Sequence, residues 1–326
     1  MSGEQKFGNS SRPAEAYRRI AVFGAGAVGG FFGAMLARAG VDVTLIVRPA
    51  TAEKIQRDGL FLDSIHFQEA IRVRAASDAS AVRGADLILF CVKTLDTETA
   101  AKALAPHLDP VAVVVSLQNG VENVARMRNA AGIDAIAAVV YVAASVPEPG
   151  RVKHAGRGDL VIGVQREGNP AAYSERSDTL ARISATFALA NVPCKISPNI
   201  DAELWSKLIL NCAGNSVTAI AQCSYGAAAR EPHSRELMRA TAREAADVAH
   251  AVGIELDAEE LIARGVKFAE SMGGATSSTA QDLARKRQTE VDALNGVIVR
   301  RGRELGVSTP VNHALTALIK LIEAGF

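Results

Sequence analysis

Arg18-Arg-Ile-Ala-Val-Phe-Gly-Ala-Gly-Ala-Val-Gly29 decides the fold of this chain. The apolar run ending at Phe23 reads as a short strand. Gly24, Ala25, Gly26, Ala27, Val28 and Gly29 follow it as a G-x-G-x-x-G loop, and Gly30 to Ala39 has helical spacing. In the order strand, glycine loop, helix, this motif marks a dinucleotide site. Gly24 permits the tight turn, Gly26 lets backbone approach a pyrophosphate, and Gly29 lets the helix close on its strand. The helix N-terminus then offers free N–H groups and a partial positive charge to the phosphates.

A second strand, Val41-Asp-Val-Thr-Leu-Ile-Val47, completes the unit. NAD sites carry an acid at the end of this strand to hold the ribose hydroxyls. Ile46, Val47 and Arg48 offer none, and Asp42 sits at the strand's other end. Arg48 instead puts a planar, forked cation where a 2′-phosphate would lie. The expectation is NADP rather than NAD, against an exposed loop arginine as the plain alternative.

From 19 to about 197, strand-like and helix-like segments alternate, which predicts a parallel sheet covered on both faces. Further strands are expected at 86–92, 111–116, 136–142 and 192–197, with short strands within 60–75 and a hairpin over 151–165. Beyond Ser197-Pro198 the periodicity turns helical, at 200–221, 233–252, 258–270, 278–304 and 309–323. The fold class expected is α/β: an N-terminal Rossmann-like, doubly wound domain followed by an all-α C-terminal domain. The divisions are a disordered leader over 1–18, an NADP-binding domain over 19–197 and a helical substrate and catalytic domain over 198–326.

The first of those helices carries the chemistry. In Ala202-Glu-Leu-Trp-Ser-Lys-Leu-Ile-Leu-Asn-Cys-Ala-Gly-Asn-Ser-Val-Thr-Ala-Ile-Ala221, the residues Lys207, Asn211 and Asn215 stand four apart. Each step drifts only about 40° around the axis, so the three share a face. The other faces are apolar, so the helix is buried on most sides. A polar row there needs partners or a wet cleft. Lysine can give a proton, and asparagine both donates and accepts hydrogen bonds. The bland reading is a snorkelling lysine above two satisfied core amides.

Other candidates lie where strands end. Asn119, in Gln118-Asn-Gly120, follows the strand at 111–116, where open α/β sheets bind ligands; a helix cap is the local alternative. Lys93 holds the equivalent place after 86–92. Ser278, Asp282, Lys286 and Glu290 recur every four residues, which alone reads as a solvated face with ion pairs.

Composition excludes much else. The chain has 326 residues, 48% hydrophobic and 22% charged with a net charge of +1, and no basic patch for nucleic acid. No apolar run reaches the ~18 residues of a membrane span. Residues 1–16 lack the apolar stretch of a signal peptide. Cys91, Cys194, Cys212 and Cys223 form no framework, which points to a reducing cytoplasm. The scattered histidines predict no metal site. A homodimer is compatible with the pattern, though nothing in the sequence specifies it.

Taken together, Gly24-Ala-Gly-Ala-Val-Gly29, Cys91-Val-Lys93, Gln118-Asn-Gly120, Ala202-Glu-Leu-Trp-Ser-Lys207, Asn211 with Asn215, and Thr289-Glu-Val-Asp-Ala-Leu-Asn-Gly296 resemble the ketopantoate reductase family. The resemblance runs from about residue 19 to the C-terminus. It implies NADPH-dependent reduction of the 2-oxo acid 2-dehydropantoate to pantoate, for pantothenate and coenzyme A synthesis. It implies Lys207 as general acid and Glu290 beside cofactor and substrate hydroxyl. Asn119 would touch both cofactor and substrate. Asn211, Asn215 and Ser278 would hold the substrate, and Arg48, Lys93 and Ala144 the cofactor. One departure stands out: where some members carry a further substrate-contacting asparagine, the closest match here is Tyr225. Two alternatives stay open, a reductase of another 2-oxo acid on the same scaffold and a non-catalytic NADP-binding sensor.

Overall fold

The computed structural model describes residues 15–165, 172–271 and 273–326. Among them ten strands form one sheet: β1 (Arg19–Phe23), β2 (Asp42–Ile46), β3 (Leu60–Ser64), β4 (Gln68–Ile71), β5 (Arg74–Ala76), β6 (Leu87–Phe90), β7 (Val113–Ser116), β8 (Ile136–Glu148), β9 (Arg151–Gly163) and β10 (Cys194–Ile196). Neighbours in the run β5-β2-β1-β6-β7-β8 are all parallel. The chain builds outward from β1 to one side and then returns to build the other. The switch point therefore lies between β1 and β6, where open α/β sheets bind ligands. Beyond β8 the sheet becomes mixed rather than purely parallel. β9 runs antiparallel to β8, β3 and β10 parallel to β9, and β4 antiparallel to β3.

The central strands are apolar because they are covered twice. Leu87, Ile88, Leu89 and Phe90 of β6 are all buried. One face packs under helices Ala27–Arg38 and Ser177–Leu189, where Phe32 meets Phe187 edge to face at 5.9 Å. The other lies under Thr97–Leu104 and Asn123–Ala131, with Ala101, Leu104 and Met127 in its core.

The second domain is helical: Ile200–Ala221, Tyr225–Arg230, Pro232–Ala251, Ala258–Ser271, Ser278–Ala284, Asn295–Leu305 and Pro310–Glu323. Its first helix belongs to two cores. Ile200 and Leu204 pack beneath the sheet, while Trp205, Leu208, Ile209 and Cys212 pack among the helices. Lys207 is thereby carried to the seam between the domains. Cys212 is buried and its thiol pushed up by burial, as a core residue should be.

Three expectations need correction. The leader expected over 1–18 falls outside the described residues only as far as residue 14. Tyr17 is buried and its N–H donates to Thr186 Oγ1 at 2.8 Å, while Arg18 N donates to Asp86 at 3.0 Å. The hairpin expected over 151–165 is one long strand, whose true turn is at Pro149-Gly150. The Ala-Gly-Arg-Gly stretch is an irregularity within the ladder, with Arg157 at φ 54°. The helix expected over 278–304 breaks after Ala284 and resumes at Asn295. The reason is tertiary: Thr289 N and Oγ1 donate to Glu323 Oε1 at 2.7 and 2.6 Å, so the C-terminal helix holds the intervening loop in place.

Candidate active site

The loop after β1 is pinned to the end of β2 by Gly24 N and Ala25 N, which both donate to Ile46 O at 3.1 Å. Gly24 has φ +86°, and a Cβ there would stand 2.8 Å from Val92 N. Gly26 is the opposite case. Its Cβ would meet only Gly24 O, at 4.0 Å, so open space lies over it. The helix beginning at Ala27 has no side-chain cap and no acid in its first turn. Its first N–H groups therefore face that space without a partner among the described residues. Arg48 is exposed at the carboxyl end of β2 and makes no ion pair among the described residues. Asp42, at the other end, is engaged by Arg74. Open backbone donors, a positive helix end and a free arginine fit a dinucleotide pyrophosphate and a phosphorylated ribose.

Across from this cradle stands the helix Ile200–Ala221, started by Asn199, whose side chain accepts from Ala202 N at 3.3 Å. It is unbroken, so Lys207, Asn211 and Asn215 share a face as the spacing requires. Lys207 Nζ donates to Asn119 Oδ1 at 2.8 Å and to Val140 O. Burial brings the Lys207 ammonium down to about 8; Glu290 pulls it up, Arg157 pushes it down and Asp159 opposes. A lysine tuned this way can exchange a proton near neutral pH.

Asn119 is itself held. Its carbonyl accepts from Thr94 Oγ1 at 3.0 Å and Asn123 Nδ2 at 2.7 Å. Behind it, Gln118 Nε2 donates to Thr97 Oγ1 at 2.8 Å and Val92 O at 3.1 Å. Glu290 Oε1 accepts from Thr94 N at 2.9 Å, which brings the helical domain onto the same loop. The structure thus brings together Lys207, Asn119 and Glu290. Thr94, Thr97, Gln118 and Asn123 have no chemistry-bearing spacing. Gln118 stands in the Gln118-Asn-Gly120 motif, and the signal of the other three is polarity after the apolar strands β6 and β7.

The remaining candidates flank this group. The Asn211 side chain makes no hydrogen bond among the described residues, whereas Asn215 is buried and its Oδ1 accepts from Tyr225 OH at 2.6 Å. A cavity of about 70 Å³ lies beside the row, with Asn211, Tyr225, Leu210, Met238, Ile262 and Val266 in its wall. Ser278 is exposed at the first position of its helix. Its buried neighbour Ser277 caps that helix through Ala280 N at 3.0 Å and touches Asn215 O at 3.3 Å. Lys93, at the end of β6, pairs with Asp282 at 2.9 Å rather than standing free. Ala144 lies partly exposed in β8, opposite His154. Among the described residues no three His, Cys, Asp or Glu side chains gather as metal ligands, and no helix is long and apolar enough to cross a membrane.

A family model for ketopantoate reductase PanE/ApbA matches residues 20–167, and its C-terminal counterpart matches residues 199–323. A 2-dehydropantoate 2-reductase of Halobacterium salinarum is 31% identical over 94% of this chain and 99% of its own. Among solved structures, a PanE/ApbA family ketopantoate reductase from Ralstonia eutropha JMP134 is 47% identical. It superposes with a TM-score of 0.85 over 94% of this chain and 99% of its own. A D-mandelate dehydrogenase in ternary complex with NADH and anilino(oxo)acetate is 25% identical, with a TM-score of 0.85 over the same shares. Both halves of the chain, its doubly wound domain and its helical domain, therefore match one family end to end: the chain belongs to the ketopantoate reductase PanE/ApbA family.

Proposed function

We propose that this protein reduces 2-dehydropantoate to pantoate with NADPH in the cytoplasm, supplying pantothenate and coenzyme A synthesis. The observation that carries the reading is Lys207 reaching from the helical domain to Asn119 at the end of the sheet, with its pKa drawn down to about 8. NADPH, when bound, supplies hydride to the carbonyl carbon of the substrate. Gly24 to Gly29 hold the pyrophosphate, Arg48 the 2′-phosphate, and Lys93 and Ala144 line the cofactor's path. Asn119, Asn211, Asn215 and Ser278 orient the acid. Lys207 stabilises the negative charge that grows on the carbonyl oxygen and gives that oxygen its proton. Glu290 keeps enough positive charge on Lys207 for it to do so.

The cavity bears on the substrate. Walled by Leu210, Met238, Ile262 and Val266 beside Asn211, it offers an apolar surface to the substrate's alkyl group. The second reading, reduction of a different 2-oxo acid, rests on Tyr225 and on the shared fold with the mandelate enzyme.

Replacing Arg48 by alanine tests the cofactor assignment. Loss of charge-assisted bonds to one phosphate should weaken NADPH binding about 10- to 100-fold and leave NADH binding unchanged. Equal losses for both cofactors would remove the phosphate role. The proton role has its own test. Reduction needs charged Lys207, so kcat/KM should fall as pH rises through about 8, and oxidation of the 2-hydroxy acid should rise through the same pH. The Glu290 carboxylate raises that value, so Glu290→Gln should move both limbs to lower pH. A profile unmoved by Glu290→Gln would detach Glu290 from Lys207.

A further inference from the structure

Tyr225 begins the short helix Tyr225–Arg230, capped by Ser224 Oγ, which accepts from Ala227 N at 3.2 Å. Its ring lies against the helix Ile200–Ala221 at that helix's one glycine. A Cβ on Gly214 would stand 2.8 Å from the ring's Cε1, so the absent side chain at 214 leaves the room that the ring takes. The hydroxyl ends 2.6 Å from Asn215 Oδ1. An amide oxygen carries no proton, so the phenol is the donor. Burial pushes the phenol up, which keeps that proton in place at neutral pH.

This bond fixes which way the amide points. Oδ1 is turned to Tyr225, and Nδ2 is left without a partner among the described residues. Asn215 is 3% exposed, yet Nδ2 is not sealed in: among the described residues only Ser234 Oγ is a fully buried side-chain polar atom lacking a partner. A nearly buried donor at the end of the Lys207 row, unpaired and still reachable, is set for an acceptor atom of a ligand.

We propose that Tyr225 is a substrate-positioning residue that acts through Asn215, locking its amide as a donor toward an oxygen of the 2-oxo acid. The inference rests on the reaction proposed above, which supplies that acceptor. Without the hydroxyl the amide is free to turn, and its oxygen would then face an anionic, acceptor-only carboxylate.

Tyr225→Phe keeps the ring against Gly214 and removes only the donor. The expected result is a KM for the 2-oxo acid raised about tenfold, for one mispaired hydrogen bond. The turnover number should change by less than about threefold, and the dissociation constant for NADPH should not move. Placed on an Asn215→Ala background, Tyr225→Phe should do nothing further. An unchanged KM, a joint loss of turnover and NADPH affinity, or a further loss on the Asn215→Ala background would overturn the proposal. If the unaltered protein turns over no 2-oxo acid, the proposed function falls. The lock is then judged by the side-chain amide NMR signals of Asn215, identified by their absence in Asn215→Ala. A shift of those signals in Tyr225→Phe upholds the lock, and unchanged signals overturn it.

Discussion

Lys207→Ala should lower turnover about 10²- to 10⁴-fold while leaving NADPH binding intact, the range that positioned proton transfer contributes. Among the described residues, the side chain removed is the only one that spans from the helical domain to Asn119 Oδ1 and Val140 O together. Its hydrogen bonds go to Asn119 and Val140 rather than to the glycine loop or Arg48, which carry the cofactor in this account, so affinity for NADPH should persist. Lys207→Arg should not rescue turnover. A guanidinium keeps the charge but holds its proton far above neutral pH. The check is steady-state turnover beside a binding titration of the reduced cofactor. If Lys207→Ala kept turnover within a few-fold, another group would be the acid.

The second large effect is expected at Gly24. Alanine there must take φ +86° and push against Val92 N at 2.8 Å and Val92 Cγ1 at 2.7 Å. The left-handed backbone costs roughly 1–2 kcal/mol in an L-residue, and displacing packed neighbours costs about 1–3 kcal/mol more. Gly24→Ala should therefore lose about 2–5 kcal/mol of stability in denaturant unfolding. It should also weaken cofactor binding at least about tenfold, since the loop it distorts is the cradle. Gly26→Ala is the contrast. Its Cβ would meet nothing closer than Gly24 O at 4.0 Å, so stability should hold within about 0.5 kcal/mol. The methyl would occupy the pyrophosphate's space instead, and affinity should fall. A Gly26→Ala protein that bound NADPH normally would move the phosphates elsewhere.

How much of this was legible in the sequence follows the range of the interactions. The glycine loop and the helix Ile200–Ala221 are local: a repeating period, an Asn199 cap and a strand–turn–helix order lie within a few residues of one another. The helix Ile200–Ala221 keeps both expected ends, whereas the helix expected from Gly30 to Ala39 runs from Ala27 to Arg38 and so takes in part of the glycine loop. Glu290 was out of reach by pattern. Its place depends on Thr289 being held by Glu323, far along the chain, and on Thr94 offering its N–H from the other domain. Periodicity saw a helical face there, and the resemblance alone nominated the residue. The strand β9 was misread for a related reason. Its glycines carry turn chemistry, and only the long partner β8 makes that chemistry an irregularity in a ladder. Lys93 shows the same limit, since its partner Asp282 comes from the other domain.

The most direct measurement is oxidation of NADPH, followed by absorbance, with 2-dehydropantoate, a panel of branched 2-oxo acids and phenylglyoxylate, each repeated with NADH. Turnover with NADPH on 2-dehydropantoate, and weaker use of NADH, are the expected results. Absence of turnover on every 2-oxo acid with either cofactor would contradict it.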